Sequence, residues 1–213
     1  MFRPSYLKEG PGVAKDAPEK TGAAWVGETL AREFWHIVKL NVLFLLCCLP
    51  VMTFGAARAA MARCTVNMAR DVPNDVWTDF RAALRQDTVR NLLCGLAELA
   101  LLWMGVMLVT ADGFFPALGM LLLCVTAAFF QNFWAVQAAV DIPFAAAAKN
   151  AWLLCLLRPG MTVLGLGVNA LLLIPAVLFF PLSLPYVLLF PCGLSGFASG
   201  MIGWSSCKRY LIR

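Results

Sequence analysis

The sequence predicts an all-α protein: a polytopic bundle of six transmembrane helices in three hairpins, with short amphipathic helices at the inner surface. One observation is composition, because 61% of the residues are hydrophobic and only 14% are charged, whereas soluble domains carry about 25% charged residues. The other is the arrangement of the apolar residues in long runs. A soluble chain of 213 residues has too small an interior to bury several such runs, whereas a bilayer solvates each crossing of roughly 20 residues directly. We therefore expect residues 23–213 to form one transmembrane helical domain.

The apolar runs define most of the crossings. Four of them are long, at residues 92–109, 118–140, 161–182 and 184–204, and a shorter one covers residues 40–54. The segment before them, residues 1–22, mixes Pro, Gly, Lys and Glu and contains no apolar core of a cleavable signal peptide. We predict that this segment is a disordered cytoplasmic tail.

The basic residues predict the orientation, since Lys and Arg are enriched in cytoplasmic loops. The links at residues 110–117 and 181–185 contain neither residue type, whereas the link at residues 70–90 contains four arginines. The C-terminal tail is also basic, with Lys208, Arg209 and Arg213. We expect the two uncharged links to face outside and the C-terminus to lie in the cytoplasm.

The number of crossings depends on residues 53–69. Five crossings would place the basic N-terminal segment outside. A sixth crossing at residues 53–69, returning after Pro50, would place both termini in the cytoplasm. This stretch has small residues suited to close helix packing, but its length of roughly 26 Å is just short of the hydrocarbon thickness, and Arg58 and Arg63 would lie within the membrane. The six-crossing arrangement is our prediction, and the alternative is five crossings with residues 53–69 as a cytoplasmic or interfacial helix.

Two short segments have the pattern of surface helices. Trp77, Phe80 and Leu84 fall on one helical face, with charged residues largely on the other. Residues 144–157 precede the next hairpin in a similar way. We predict that both segments form helices at the inner membrane surface.

Ionisable residues within the apolar segments form the first part of a candidate intramembrane polar site. Glu98 lies well inside the segment at residues 92–109, and Arg58 and Arg63 lie in the proposed second crossing. A charge at mid-bilayer costs several kcal/mol unless it is paired or hydrated. One hypothesis is an ion pair or polar cavity between Glu98 and one of the arginines that lines a path for a solute. The other is that Arg63 extends to the surface while Glu98 is protonated or hydrogen-bonded within the bundle.

Amides and glycines complete the candidate sites. Asn132 and Gln137 belong to the same candidate polar site, although amides in helix bundles more often serve as interhelical hydrogen-bonding groups than as substrate ligands. Gly193, Gly196 and Gly200 have the spacing of a helix-packing face. That face would suit a neighbouring helix of this chain or a partner protein.

Several classes of function find no support in the sequence. Motifs of nucleophilic, metal-dependent or nucleotide-dependent enzymes do not occur, so we predict no catalytic residues. The eight cysteines are scattered without metal-ligand spacing, and we expect no metal or cofactor. The basic residues lie in the links and tails rather than in a stripe interleaved with aromatics, so nucleic acid is not an expected partner.

The first hairpin resembles a known family. The run KLNVLFLLCCLPVMTFG at residues 39–55, the MARD sequence at residues 68–71 and the FRAALR sequence at residues 80–85 with Asn91 are similar to the YesL-like family of bacterial integral membrane proteins, catalogued as domain of unknown function 624. The resemblance is best over residues 34–91. This chain departs from the pattern at Arg58 and Arg63, where the family usually carries aromatic and hydroxyl residues.

The resemblance implies a multi-pass protein of the bacterial inner (cytoplasmic) membrane. Relatives are often encoded beside binding-protein-dependent sugar uptake systems, which implies an accessory role in carbohydrate uptake. We therefore expect a membrane accessory or interaction protein whose partners are the lipid bilayer and a sugar ABC-type permease complex. The alternative is a small solute transporter or a permease-like subunit, for which Glu98, the two arginines and the amides would form the site.

Overall fold

A computed structural model describes residues 22–72 and 75–210, and every regular element within these ranges is helical. The described chain contains nine α-helices: α1 (Ala23–Cys48), α2 (Phe54–Ala69), α3 (Val76–Arg85), α4 (Thr88–Val109), α5 (Phe115–Ala139), α6 (Phe144–Leu157), α7 (Pro159–Leu178), α8 (Leu184–Leu189) and α9 (Pro191–Tyr210). A 3-10 turn, Val51–Thr53, joins α1 to α2. The predicted all-α class is confirmed over these residues. The predicted disordered tail lies outside the described residues, except for Gly22.

Three of the described helices, α4, α5 and α7, are long and apolar enough to cross a membrane. The other long helices differ from them for identifiable reasons. The first half of α1 carries several charged side chains, α2 has only 16 residues, and α9 is rich in Gly and Ser. Hydropathy alone therefore identifies only part of the bundle.

The short helix α2 lies at the centre of the bundle, against α1, α3, α4, α5 and α9. Ten of its 16 residues are buried, and most of these are small, which lets the neighbouring helices approach closely. The closest contact is with α4. A Cβ on Gly55 would lie 2.0 Å from the carbonyl oxygen of Asn91, and a Cβ on Gly95 would lie 2.2 Å from Gly55 Cα. Glycine is therefore required on both helices at this crossing.

Charged side chains gather where the C-terminal ends of α2 and α9 meet the first part of α1, and we call this the charged end of the bundle. Arg32 of α1 forms an ion pair with Asp71, just after α2. The guanidinium carbon of Arg70 lies 4.7 Å from the ring centre of Trp204 in α9. These contacts tie three helices together through polar groups at a single end.

Both segments that were predicted to form surface helices are helical, as α3 and α6. Helix α3 packs on α2 and buries Val76, Phe80 and Ala83. Trp77, predicted to share the apolar face with Phe80, is instead 62% exposed, because the buried face is centred on Phe80 and Trp77 lies at its margin. Helix α6 buries a strip of Ala and Leu side chains against α5.

The apolar run at residues 184–204 is not one continuous segment, contrary to the sequence analysis. It divides into α8 and α9 at Pro191. A proline has no N–H group, so the carbonyl of Val187 cannot receive the hydrogen bond that a continuous helix would give it. The break therefore leaves unpaired backbone groups inside the bundle.

Asn41 of α1, which is fully buried, satisfies these groups. Its Nδ2 donates to the carbonyl oxygens of Val187 and Leu188, at 3.0 and 2.7 Å. Its Oδ1 accepts a hydrogen bond of 2.8 Å from the N–H of Gly193 in the first turn of α9. One amide thus supplies hydrogen-bond partners to backbone groups at both helix ends.

Candidate functional site

The centre of the bundle contains an ion pair between α2 and α4. Arg58 Nη2 lies 3.1 Å from Glu98 Oε1. The second carboxylate oxygen, Oε2, accepts a hydrogen bond of 2.8 Å from Trp134 Nε1 on α5. Glu98 is only 4% exposed, so both of its oxygens are satisfied by protein groups in a site that excludes most solvent.

The helix crossing explains how these side chains meet. Arg58 and Glu98 each follow a crossing glycine, Gly55 and Gly95, by three residues on antiparallel helices. Side chains on a helix tilt towards its N-terminus, so the two side chains extend back towards the crossing and converge. The close backbone contact shortens the distance that they have to bridge.

Arg63, the other candidate partner for Glu98, occupies a different place. It lies on α2 nearer the charged end and lines a polar cleft there, together with Arg90, Asn91 and Gln137. The structure therefore brings Arg58, and not Arg63, to the carboxylate of Glu98.

The two candidate amides are also separated from the ion pair and from each other. Asn132 Nδ2 lies 2.9 Å from Ala128 O and 3.3 Å from both Cys155 Sγ and Thr162 Oγ1. Its two N–H groups are shared among these three acceptors and link α5 to α6 and α7. Burial raises the pKa of the Cys155 thiol, so at neutral pH this partner is uncharged. Gln137 Nε2 donates to Asn91 Oδ1 at 2.9 Å and links α5 to α4 in the polar cleft.

A second polar network joins α5, α7 and α9. Asn169 Nδ2 donates to Gln131 Oε1 at 3.0 Å and to Ser199 Oγ at 3.1 Å. Ser195 Oγ donates to Asn169 Oδ1 at 2.8 Å. Gln131 is 4% exposed, and its Nε2 has no hydrogen-bond partner among the described residues.

The three candidate glycines of α9 face other helices of this chain. A Cβ on Gly193 would lie 2.6 Å from the carbonyl oxygen of Ile37 in α1. A Cβ on Gly196 would lie 2.8 Å from Met61 Sδ, and one on Gly200 would lie 2.5 Å from Thr65 Oγ1, both in α2. This face is occupied within the protein, by α1 and α2.

Two small cavities adjoin these groups. The central cavity, about 20 Å³, is lined by Arg58, Gln131, Trp134 and Ser199 among others. The polar cleft at the charged end is about 40 Å³ and shares Trp134 as a wall. A water molecule needs about 10–15 Å³ measured in this way, so the two spaces admit a few water-sized groups. Neither reaches the roughly 300 Å³ of a small-molecule pocket.

Sequence reasoning missed Trp134 and the role of Asn41. A signal existed for Trp134, since a buried tryptophan within an apolar helix needs an acceptor for its indole N–H. Within residues 22–72 and 75–210, no group of three or more His, Cys, Asp or Glu side chains is arranged to hold a metal ion.

Comparison with known proteins gives one finding. Neither the curated proteins nor the solved structures provide a significant match to the chain. Residues 37–109, which run from the middle of α1 to the end of α4 and include Arg58 and Glu98, match the family described as Protein of unknown function, DUF624, and this match supports membership of that family.

Proposed function

We propose that the protein is a YesL-like, multi-pass protein of the bacterial inner membrane, with six crossings formed by α1, α2, α4, α5, α7 and α9. The three apolar helices α4, α5 and α7 support a membrane location. Helix α2 would cross in spite of Arg58 because five other helices surround it and Glu98 neutralises the charge. Helices α3 and α6 would lie at the cytoplasmic surface, together with the charged end and both termini.

Within that membrane, the proposed function is that of an accessory protein that binds a sugar ABC-type permease complex. The small volume of the two cavities carries this proposal. The central cavity beside the ion pair is about 20 Å³ and the polar cleft at the charged end is about 40 Å³, both far below the volume that a sugar needs. Neither of these two cavities, which are formed by residues within 22–72 and 75–210, is large enough for a sugar. The family resemblance supplies the link to carbohydrate uptake.

Affinity purification tests this proposal. The tagged full-length chain would be extracted from native membranes in a mild detergent, and the proteins recovered with it would be identified and quantified by mass spectrometry. A tagged multi-pass protein of unrelated function, expressed at the same level, controls for incidental recovery. The proposal predicts near-stoichiometric recovery of permease subunits with this chain only. Recovery of the chain alone, folded and monodisperse, would contradict it.

A small-solute carrier is the second candidate, and one specific observation favours it. The buried Nε of Arg58 and Nε2 of Gln131 have no hydrogen-bond partner among the described residues, and both side chains line the central cavity. Two unused donors beside an ion pair would suit a solute in a more open conformation. Uptake by vesicles that contain only this protein, abolished by Glu98→Gln, would establish this candidate in place of the accessory function.

A further inference from the structure

The polar cleft at the charged end is separate from the ion pair and is not used by the proposed accessory function. It is formed where the middle of α2, the end of α3, the start of α4 and the end of α5 meet. Its volume of about 40 Å³ corresponds to roughly three water-sized groups. The space therefore fits a small polar group rather than a whole sugar or nucleotide.

Several hydrogen-bonding atoms in the cleft are unused. Arg90 Nε and Gln137 Oε1 are buried and have no hydrogen-bond partner among the described residues. Arg63 lines the same cleft and is half-buried, and its side chain forms no ion pair or hydrogen bond with the described residues. Buried polar groups in proteins are nearly always paired, so Arg90 Nε and Gln137 Oε1 point to a ligand, and Arg63 adds a second arginine beside them.

The rest of the cleft forms a fixed frame. Asn91 is 4% exposed; its Nδ2 donates to Gln86 O at 3.1 Å and its Oδ1 accepts from Gln137 Nε2. Arg90 Nη2 lies 2.6 Å from Asp87 Oδ2. Asp87 has a left-handed backbone, with φ of 51°, a conformation that non-glycine residues seldom adopt and that concentrates at functional sites.

The unused atoms specify the chemistry of the ligand. Two arginines offer donors to an anionic oxygen group, and a guanidinium is the side chain best suited to phosphate. Gln137 Oε1 needs a hydrogen-bond donor. The charge of Asp87 is neutralised by its ion pair with Arg90. The exposed Asp141 at the rim of the cleft, like Gln137 Oε1, favours a hydrogen-bond donor or a cation on the ligand. The ligand therefore combines a phosphate with a nearby donor group.

We propose that this cleft binds a phosphate ester that carries a hydroxyl or ammonium group close to the phosphate. Phospholipid headgroups such as phosphatidylglycerol and phosphatidylethanolamine have this chemistry, and so does soluble glycerol 3-phosphate. Only the phosphate and the adjoining atoms would enter the cleft, while the rest of the molecule would remain outside. The phosphate would contact Arg63 and Arg90, and the donor would contact Gln137 Oε1.

The proposal is tested by adding lipid and phosphate probes to the delipidated full-length protein in a neutral detergent and measuring their binding by native mass spectrometry. The probes are phosphatidylglycerol, phosphatidylethanolamine, phosphatidylcholine, glycerol 3-phosphate and inorganic phosphate. Phosphatidylcholine is the matched control, because its methylated ammonium cannot donate a hydrogen bond. We expect roughly tenfold tighter binding of the two donor-bearing lipids than of phosphatidylcholine, the effect of one additional hydrogen bond to Gln137 Oε1. Binding of glycerol 3-phosphate in competition with lipid would identify a soluble ligand, and lipid binding that glycerol 3-phosphate does not displace would identify a headgroup.

Two substitutions that each remove one positive charge show whether the probes bind in the polar cleft. Arg63→Gln should weaken binding of the preferred probe at least tenfold, whereas Arg81→Gln, on the exposed surface of α3, should leave it unchanged. Gln137→Glu, which keeps an acceptor but adds a negative charge beside the phosphate, should also weaken binding and serves if Arg63→Gln fails to fold. Equal binding of all three lipids, or equal effects of the Arg63 and Arg81 variants, would overturn the proposal.

Discussion

Arg58 and Glu98 meet across α2 and α4 with Nη2 and Oε1 3.1 Å apart, beside the point where the backbones at Gly55 and Gly95 touch. A pair of charges so deep in an apolar bundle is tolerated because each neutralises the other and because Trp134 holds the second carboxylate oxygen. The packing of three helices and the chemistry of the interior therefore depend on the same few side chains.

Glu98→Gln should destabilise the protein. The glutamine can still accept the hydrogen bond from Trp134, but it leaves the charge of Arg58 without its partner. We expect a loss of about 2–3 kcal/mol in the free energy of unfolding, less than for a fully buried pair because the Arg58 side chain is 21% exposed. Chemical unfolding in detergent measures the loss, and Asp112→Asn, in the exposed link after α4, should lose almost nothing. Equal stability of both variants would show that the pair is not formed.

The double variant Arg58→Met, Glu98→Gln should regain much of this stability. Arg58→Met removes the cation that Glu98→Gln leaves buried without a partner, and the Met side chain fills a volume similar to that of the arginine stem. We expect a coupling energy of at least about 1 kcal/mol between the two positions, measured as a double-mutant cycle in the same unfolding assay. Additive losses would contradict a direct contact between the side chains.

Alanine at the helix crossing should be among the most damaging small substitutions in the chain. Gly95→Ala would place a methyl group 2.2 Å from Gly55 Cα, so α2 and α4 would have to separate. We expect a loss of about 3 kcal/mol or more, seen as a lower unfolding temperature in detergent. Gly167→Ala, with no atom within 4 Å of the new methyl group, is the control and should be neutral or slightly stabilising.

Asn41→Leu should loosen the junction between α8 and α9. The substitution leaves the carbonyls of Val187 and Leu188 and the N–H of Gly193 without their partner. We expect a loss of about 3 kcal/mol, since each unpaired buried group costs roughly 1 kcal/mol or more. Hydrogen exchange should also become faster near residue 193. Asn150→Leu, whose side chain makes no hydrogen bond to the described residues, should change neither quantity.

Hydropathy and charge predicted the all-α class, the long helices α4, α5 and α7 and the two short helices α3 and α6, but not the division of residues 184–204 into α8 and α9. This prediction succeeds because a helix long and apolar enough to cross a membrane requires a long run of apolar residues in the sequence. The helix at residues 53–69 was also predicted, as α2, because Pro50 and the small residues mark its start and its packing. The number of crossings and their orientation stay predictions.

Details of the site were less predictable, for a physical reason. Arg58 and Arg63 are alike in sequence, and only the rotation and tilt of α2 against α4 decide which of them reaches Glu98. In the sequence Trp134 is indistinguishable from the apolar residues around it, and only the structure shows its indole N–H donating to the carboxylate of Glu98. The break at Pro191 was missed because the run on either side stays apolar, and the amide that makes the break tolerable comes from Asn41, far away in the sequence.

The central claim is a six-crossing bundle with the Arg58–Glu98 pair inside the membrane. It is tested most directly by finding on which side of the membrane the turn between α1 and α2 lies. Epitope tags would be inserted after Val51, which is 65% exposed, and at the C-terminus, and antibody binding would be compared in intact and permeabilised spheroplasts. Six crossings predict that the turn is labelled in intact spheroplasts and the C-terminus only after permeabilisation. Labelling of both tags only after permeabilisation would place α2 on the cytoplasmic side and contradict this account.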